Sequence, residues 1–122
     1  MIYLIEDKAS RRVDYGWSDE KIASSSNVIT LIDNIEGVRS LSCLETNDVV
    51  LFHESFYNTA DYESKKTADM FKVELEYNSN SLHIAFFSGS KNLRTLDGNV
   101  CNIPPYVMYE NLESFILHYK QG

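Results

Sequence analysis

A doubly wound α/β domain with about five parallel strands in the order 2-1-3-4-5 is what this sequence predicts, on three observations. Five short apolar runs, Ile2 to Ile5, Val28 to Ile32, Val49 to Phe52, Leu82 to Phe87 and Tyr106 to Tyr109, are nearly continuous and rich in β-branched and aromatic residues. Strands covered on both faces read this way. The segments between them are mostly helix-sized, and 122 residues is the length of a single domain, taken here as 1–122. Strand and helix alternating in so short a chain give right-handed crossovers and a parallel sheet.

Each connection supports the assignment in its own way. Residues 8–26 hold Gly16 and the tract Ser24-Ser25-Ser26-Asn27, so any helix there is short or broken. Residues 35–44 place Ile35, Val38, Leu41 and Cys43 on one side of a short helix interrupted by Gly37. Residues 63–77 set Ala68, Met70, Phe71, Val73, Leu75 and Tyr77 among charges, with Thr67, Phe71 and Leu75 at helical spacing. The alternation in VELEY leaves a strand extension open. Residues 89–105 carry two glycines, an Asp-Gly turn signal and Pro104-Pro105, which favour a loop or small hairpin over a helix. Asn111 reads as the N-cap of a last helix with Leu112, Phe115, Ile116 and Tyr119 on one stripe. The order is flavodoxin-like, with the helix between strands 4 and 5 reduced to a loop. Strands 1 and 3 are then neighbours at the switch point, where their carboxyl ends bring Glu6-Asp7 and His53-Glu54 together.

Composition narrows the function. A hydrophobic share of 43% and a charged share of 24% belong to an ordinary globule. A net charge of -7 opposes binding to phosphate backbones, and the one basic cluster, Lys8, Arg11 and Arg12, lies amid Glu6, Asp7 and Asp14. Nucleic acid is excluded as the expected partner. Glu6 and Asp7 follow the first apolar run too early for a signal peptide, and no run is long enough for a bilayer. A cytoplasmic location with Cys43 and Cys101 as reduced thiols is expected.

The strand ends carry a resemblance. IYLIED at 2–7, DVVLFH at 48–53, IAFFSGS at 84–90 and YVMYEN at 106–111 together resemble the receiver domain of two-component response regulators over nearly the whole chain. The resemblance implies an acidic pair at Glu6 and Asp7 and a phosphoaccepting aspartate where His53 stands. It also implies a Ser or Thr at Ser88, and a Lys-Pro where Tyr109 and Glu110 stand. The nucleophile and the lysine are therefore missing. Magnesium wants hard oxygen ligands, so an imidazole in place of a carboxylate weakens such a site. What the resemblance then implies is a degenerate, non-catalytic receiver-like module in bacterial signalling, with no cofactor and no metal. It would bind a protein partner or a fused output domain independently of phosphorylation, and it is compatible with a homodimer. His53 is expected to be protonated and to neutralise Glu6 and Asp7.

Other readings stay open. Glu6, Asp7 and His53, with Glu54, are the residues that would hold manganese or zinc in a small metal-dependent or phosphate-handling enzyme. Glu54 itself, next along the strand, points to the opposite side. In the run RRVDYGW, Arg11 and Arg12 could grip an anion while Tyr15 and Trp17 anchor a partner, or the aromatics could pack on the sheet while the arginines pair with neighbouring acids. Ser88-Gly89-Ser90-Lys91 resembles a small anion-binding turn, which would make the crevice an anion or nucleotide sensor. His83, His118 and the two cysteines read as structural.

Overall fold

The computed structural model describes residues 1–41, 44–88, 94–97 and 100–121, and the side chains of these other than 94–97, 115 and 118–121. In chain order the elements are β1 (Ile2–Ile5), α1 (Ala9–Asp14), α2 (Asp19–Ala23), β2 (Ile29–Ile32), α3 (Ile35–Ser40) and β3 (Val49–His53). A 3-10 turn (Glu54–Phe56) follows, then α4 (Tyr62–Tyr77), β4 (His83–Phe87), β5 (Arg94–Asp97), β6 (Val100–Ile103) and α5 (Pro105–Gln121). The sheet runs β2-β1-β3-β4-β6-β5, all parallel except β5, which pairs antiparallel with β6 at the edge. With β6 counted as the fifth parallel strand, this is the order 2-1-3-4-5 of a flavodoxin-like α/β fold.

The fifth strand is not the one expected. Tyr106 to Tyr109 begins α5, and the strand is Val100–Ile103, the return arm of a hairpin with β5. Pro105 explains the difference: at the first helical position its missing N–H costs nothing and its fixed φ suits the helix, so Pro-Pro starts a helix here. Asn111 accordingly lies inside α5, its side-chain amide donating to the Val107 carbonyl at 2.8 Å, and caps nothing. No helix joins β4 to β6 among the described residues.

Strand alternation sorts the core into two layers. On one face Leu4, Leu51 and Phe87 meet Trp17, Ile22 and the α5 residues Met108, Leu112 and Ile116. On the other, Ile5, Phe52 and Phe86 meet Val38 of α3 and Ala68, Phe71 and Leu75 of α4. β3 is buried throughout, so its last residue, His53, is held by a strand with no freedom to shift. Gly16 takes a positive φ of 85°, reversing the chain after α1 and turning Trp17 into the core. Gly37 lets α3 approach β2, since a Cβ there would come within 2.7 Å of the Ile32 Cγ2 methyl. No helix of the described residues is long and apolar enough to cross a membrane.

The short α3 depends on its cap. The Asn34 side-chain oxygen accepts from the Gly37 amide at 2.8 Å. Asn34→Ala lowers the unfolding free energy by about 1 kcal/mol, read as a shift in the urea midpoint at unchanged slope. An unshifted midpoint would show that packing against α4, not the cap, holds α3 in place.

Candidate functional site

The carboxyl ends of β1 and β3 bring Glu6, Asp7 and His53 together, with one ligand atom from each lying within 4.8 Å of the others. Glu6 is completely buried, His53 is 6% exposed, and Asp7 is exposed at the crevice. Three groups that could hold a cation already have one. The guanidinium of Arg11, on α1, is 3.1 Å from Glu6 Oε1 and 3.1 Å from Asp7 Oδ1. Its Nη1 also lies 2.6 Å from the His53 ring nitrogens. Arg11 therefore stands where a metal ion would have to sit.

His53 is not the counter-ion. Burial pushes its pKa down to about 4, and Arg11 beside it pushes the same way. The backbone amide of Ser55 donates to His53 Nδ1 at 3.0 Å. That bond needs a lone pair on Nδ1, which the neutral ring supplies and the imidazolium does not. The expectation of a protonated His53 fails because a guanidinium, which cannot lose its proton, reaches both carboxylates first. Phe87 closes the other side of the imidazole edge-on, at 4.9 Å between centroids.

Glu6 feels opposing influences. Burial raises its pKa to about 7, against the lowering effects of Arg11 and of the Lys8 amide, which donates to Oε1 at 3.3 Å. The Tyr109 hydroxyl donates to Oε2 at 3.3 Å. The apolar run around Tyr109 suggests a strand end; the residue arrives instead from the second turn of α5 and reaches the same carboxylate. Burial and Glu6 together hold its phenol well above the usual range. Its backbone carbonyl accepts from the Trp17 indole at 3.1 Å, and Tyr15 stacks on its ring at 5.4 Å.

Ser55, which sequence reasoning does not single out, completes the cluster. It follows His53 by two residues in the 3-10 turn, where its hydroxyl lies 2.8 Å from His53 Nδ1 and donates to Asp7 Oδ1 at 2.8 Å. Arg11 Nη1 stands 3.4 Å from the same hydroxyl. The signal lies in HES itself: a histidine closing a strand can cap the turn that follows with its own Nδ1. Glu54 turns away, accepting from the Asn58 side chain at 3.2 Å. Beside the cluster lies a crevice of about 210 Å³ lined by Asp7, Asn34, Ser55, Thr59 and Ser64.

The other candidates resolve differently. Arg12 is buried, donating to the Trp17 carbonyl at 2.9 Å and to Asp19 at 2.8 Å, so it faces inward and offers no grip on an outside anion. Trp17 is core, while Tyr15 is 43% exposed and the one aromatic of RRVDYGW open to a partner. Ser88 is buried at the end of β4. Cys101 is half-buried and its thiol is pushed up by burial. Gly89, Ser90, Lys91 and Cys43 lie outside the described residues, as does the side chain of His118. No protein-family model, no curated protein and no solved structure matches this chain.

Proposed function

We propose that this chain is a degenerate receiver-like module that binds a protein partner in bacterial signalling without being phosphorylated and without catalysing a reaction. One observation carries the reading: the Arg11 guanidinium fills the acidic pocket between Glu6, Asp7 and His53. In a receiver, this pocket holds a magnesium ion beside an aspartate nucleophile. A fixed internal cation supplies the charge balance the ion would have supplied, and a neutral imidazole replaces the nucleophile. The fifth parallel strand ends at Ile103 and is followed by Pro104 and Pro105, where a receiver has a lysine to grip the phosphoryl group. A pocket permanently balanced in this way suits a scaffold whose surface is always in one state.

The test is intact mass after incubation with acetyl phosphate and magnesium. Wild type stays unmodified, while Arg11→Ala combined with His53→Asp gains a phosphoryl group on the introduced carboxylate. A second reading has its own observation: the Ser55 hydroxyl touches both His53 Nδ1 and Asp7 beside a cation, the arrangement of a hydroxyl prepared for phosphoryl transfer. Under that reading wild type gains the mass and Ser55→Ala does not. Calorimetric titration with manganese or zinc bears on the metal-dependent form of the same idea. The module reading expects no heat of binding, because the incoming ion would have to expel Arg11.

A further inference from the structure

Tyr106 and Glu110 stand four residues apart on α5, neighbours on one exposed side of its first two turns. Tyr15, at the end of α1, comes across to meet them, and the three side chains line a cavity of about 260 Å³. None of the three serves the core: Tyr15 is 43% exposed, Tyr106 is 58% exposed, and Glu110 lies open to solvent. Tyr15 is nevertheless held in place. Its ring stacks on that of the buried Tyr109 at 5.4 Å between centroids, and Tyr109 is anchored in turn by its hydroxyl on Glu6 and its carbonyl under the Trp17 indole. One face of Tyr15 is therefore covered and fixed, so the ring is a wall that a ligand need not order for itself.

We infer that this cavity takes the guanidinium of an arginine side chain carried by a protein partner. Charge complementarity selects the sign of the occupant. Tyrosine rings attract a cation over their faces, and a carboxylate beside them supplies charge-assisted hydrogen bonds that aromatic rings alone lack. Among the described residues no lysine or arginine of the chain lines the cavity, and none pairs with Glu110. The cations of the neighbouring elements are spent elsewhere: Arg11 on Glu6 and Asp7, Arg12 on Asp19 and the Trp17 carbonyl, and Lys21 on Glu113 and the Trp17 ring. Asp14, exposed and next in the chain to Tyr15, and a net charge of -7 favour an incoming cation further. The positive end of the α5 dipole acts within the first turn, whereas Glu110 lies in the second.

Size and hydration select the kind of cation. Sites for drug-sized molecules run to roughly 300–1,000 Å³, so a cavity of about 260 Å³ suits the end of one side chain. Arginine fits it better than lysine, because a planar guanidinium stacks on a tyrosine ring while forking onto a carboxylate, and it is more weakly hydrated than an ammonium. The inference rests on the reading of the chain as a protein-binding module for the source of the arginine. The preference of the cavity itself is independent of what occupies the pocket at His53.

Nuclear magnetic resonance on the isotope-labelled full chain tests it, with N-acetyl-arginine methylamide as the probe and total salt held constant so that screening does not change. Titrated to about 50 mM, the probe shifts the amide signals of Tyr15, Tyr106 and Glu110 along a saturating curve with a dissociation constant on the order of 1–10 mM. The lysine analogue binds at least threefold more weakly, and the citrulline analogue, of the same shape without the charge, gives no saturable shift. Glu110→Gln and Tyr106→Leu, both at exposed positions that leave the rest of the spectrum unchanged, each weaken arginine binding at least fivefold. No saturable shift with the arginine probe overturns the site, and citrulline matching arginine overturns cation recognition. Binding indifferent to both substitutions places the guanidinium elsewhere. Free L-arginine binding more tightly than the blocked probe makes the occupant a free amino acid and overturns the side-chain assignment. The two readings fail separately: phosphorylation of wild type by acetyl phosphate overturns the module and leaves a saturable arginine shift standing, whereas an unmodified wild type with no arginine shift keeps the module and loses this site.

Discussion

Arg11→Met lowers the unfolding free energy by about 3 kcal/mol at pH 9, where Glu6 is ionised, the low end of the range for removing one partner of a buried ion pair, and by less than about 1 kcal/mol at pH 7, where Glu6 titrates in the intact pocket. Methionine keeps the length and most of the apolar stem, so the loss is that of the guanidinium. Glu6 is wholly enclosed, and without Arg11 the donors that remain to its carboxylate among the described residues include the Lys8 amide and the Tyr109 hydroxyl, both long at 3.3 Å. Those cannot offset the cost of holding a bare charge out of water. Glu6 responds by keeping its proton, so the penalty shrinks as the pH drops toward 5. Arg12→Met is the control: its ionic partner Asp19 is 84% exposed, and what is lost there is chiefly one bond to the Trp17 carbonyl. Urea unfolding of both variants at pH 5 and pH 9 measures the contrast. Equal, pH-independent losses would mean that Arg11 acts by packing its stem and not by balancing the acidic pocket.

Both the legible and the illegible parts of this molecule trace to particular residues. Ile2–Ile5, Val49–His53 and, after the exposed His83, Ile84–Phe87 are largely enclosed on both faces, and a short β-branched run with no polar face has few other homes. Tyr106 to Tyr109 has the same appearance and is a helix, because a short continuous apolar run has no periodicity to tell the two apart. Only the proline before it decides. The true fifth strand, Val-Cys-Asn-Ile, is only half covered after Val100 and shows no such run.

In the site, strand ends are fixed by the sheet, so the meeting of Glu6, Asp7 and His53 is legible in the apolar runs that precede them. The role of Arg11 is not, since whether an arginine beyond a strand turns outward to a ligand or back into the crevice is set by the rise and direction of α1, six residues long with no side-chain cap. Tyr109 shows the opposite case: named for a strand that is a helix instead, it still touches Glu6, because α5 leaves the sheet at the carboxyl end of β6, the edge to which the expected strand would have delivered it.

The two buried titratable groups of the pocket give opposing pH dependences that single variants separate. In the folded chain Glu6 titrates near 7 against an ordinary value of 4.5, so between those pH values the folded state holds the extra proton and stability falls as pH rises. His53 titrates near 4 against an ordinary 6.5, so from 4 to 6.5 the unfolded state holds the extra proton and stability rises with pH. Each shift corresponds to about 3 kcal/mol, and over the shared window the two cancel.

Glu6→Gln therefore gains on wild type by about 3 kcal/mol as pH goes from 4.5 to 7, and His53→Asn falls behind by a similar amount from 4 to 6.5. Differences between variant and wild type isolate these groups, because the surface carboxylates titrate alike in both. Chemical denaturation at half-unit pH steps measures them. Differences that stay constant with pH would mean that both groups titrate in the folded chain as they do in water. His53 would then carry charge below neutrality and share with Arg11 the task of balancing Glu6 and Asp7. The direction of the His53→Asn difference thus decides whether the pocket has one cation or two.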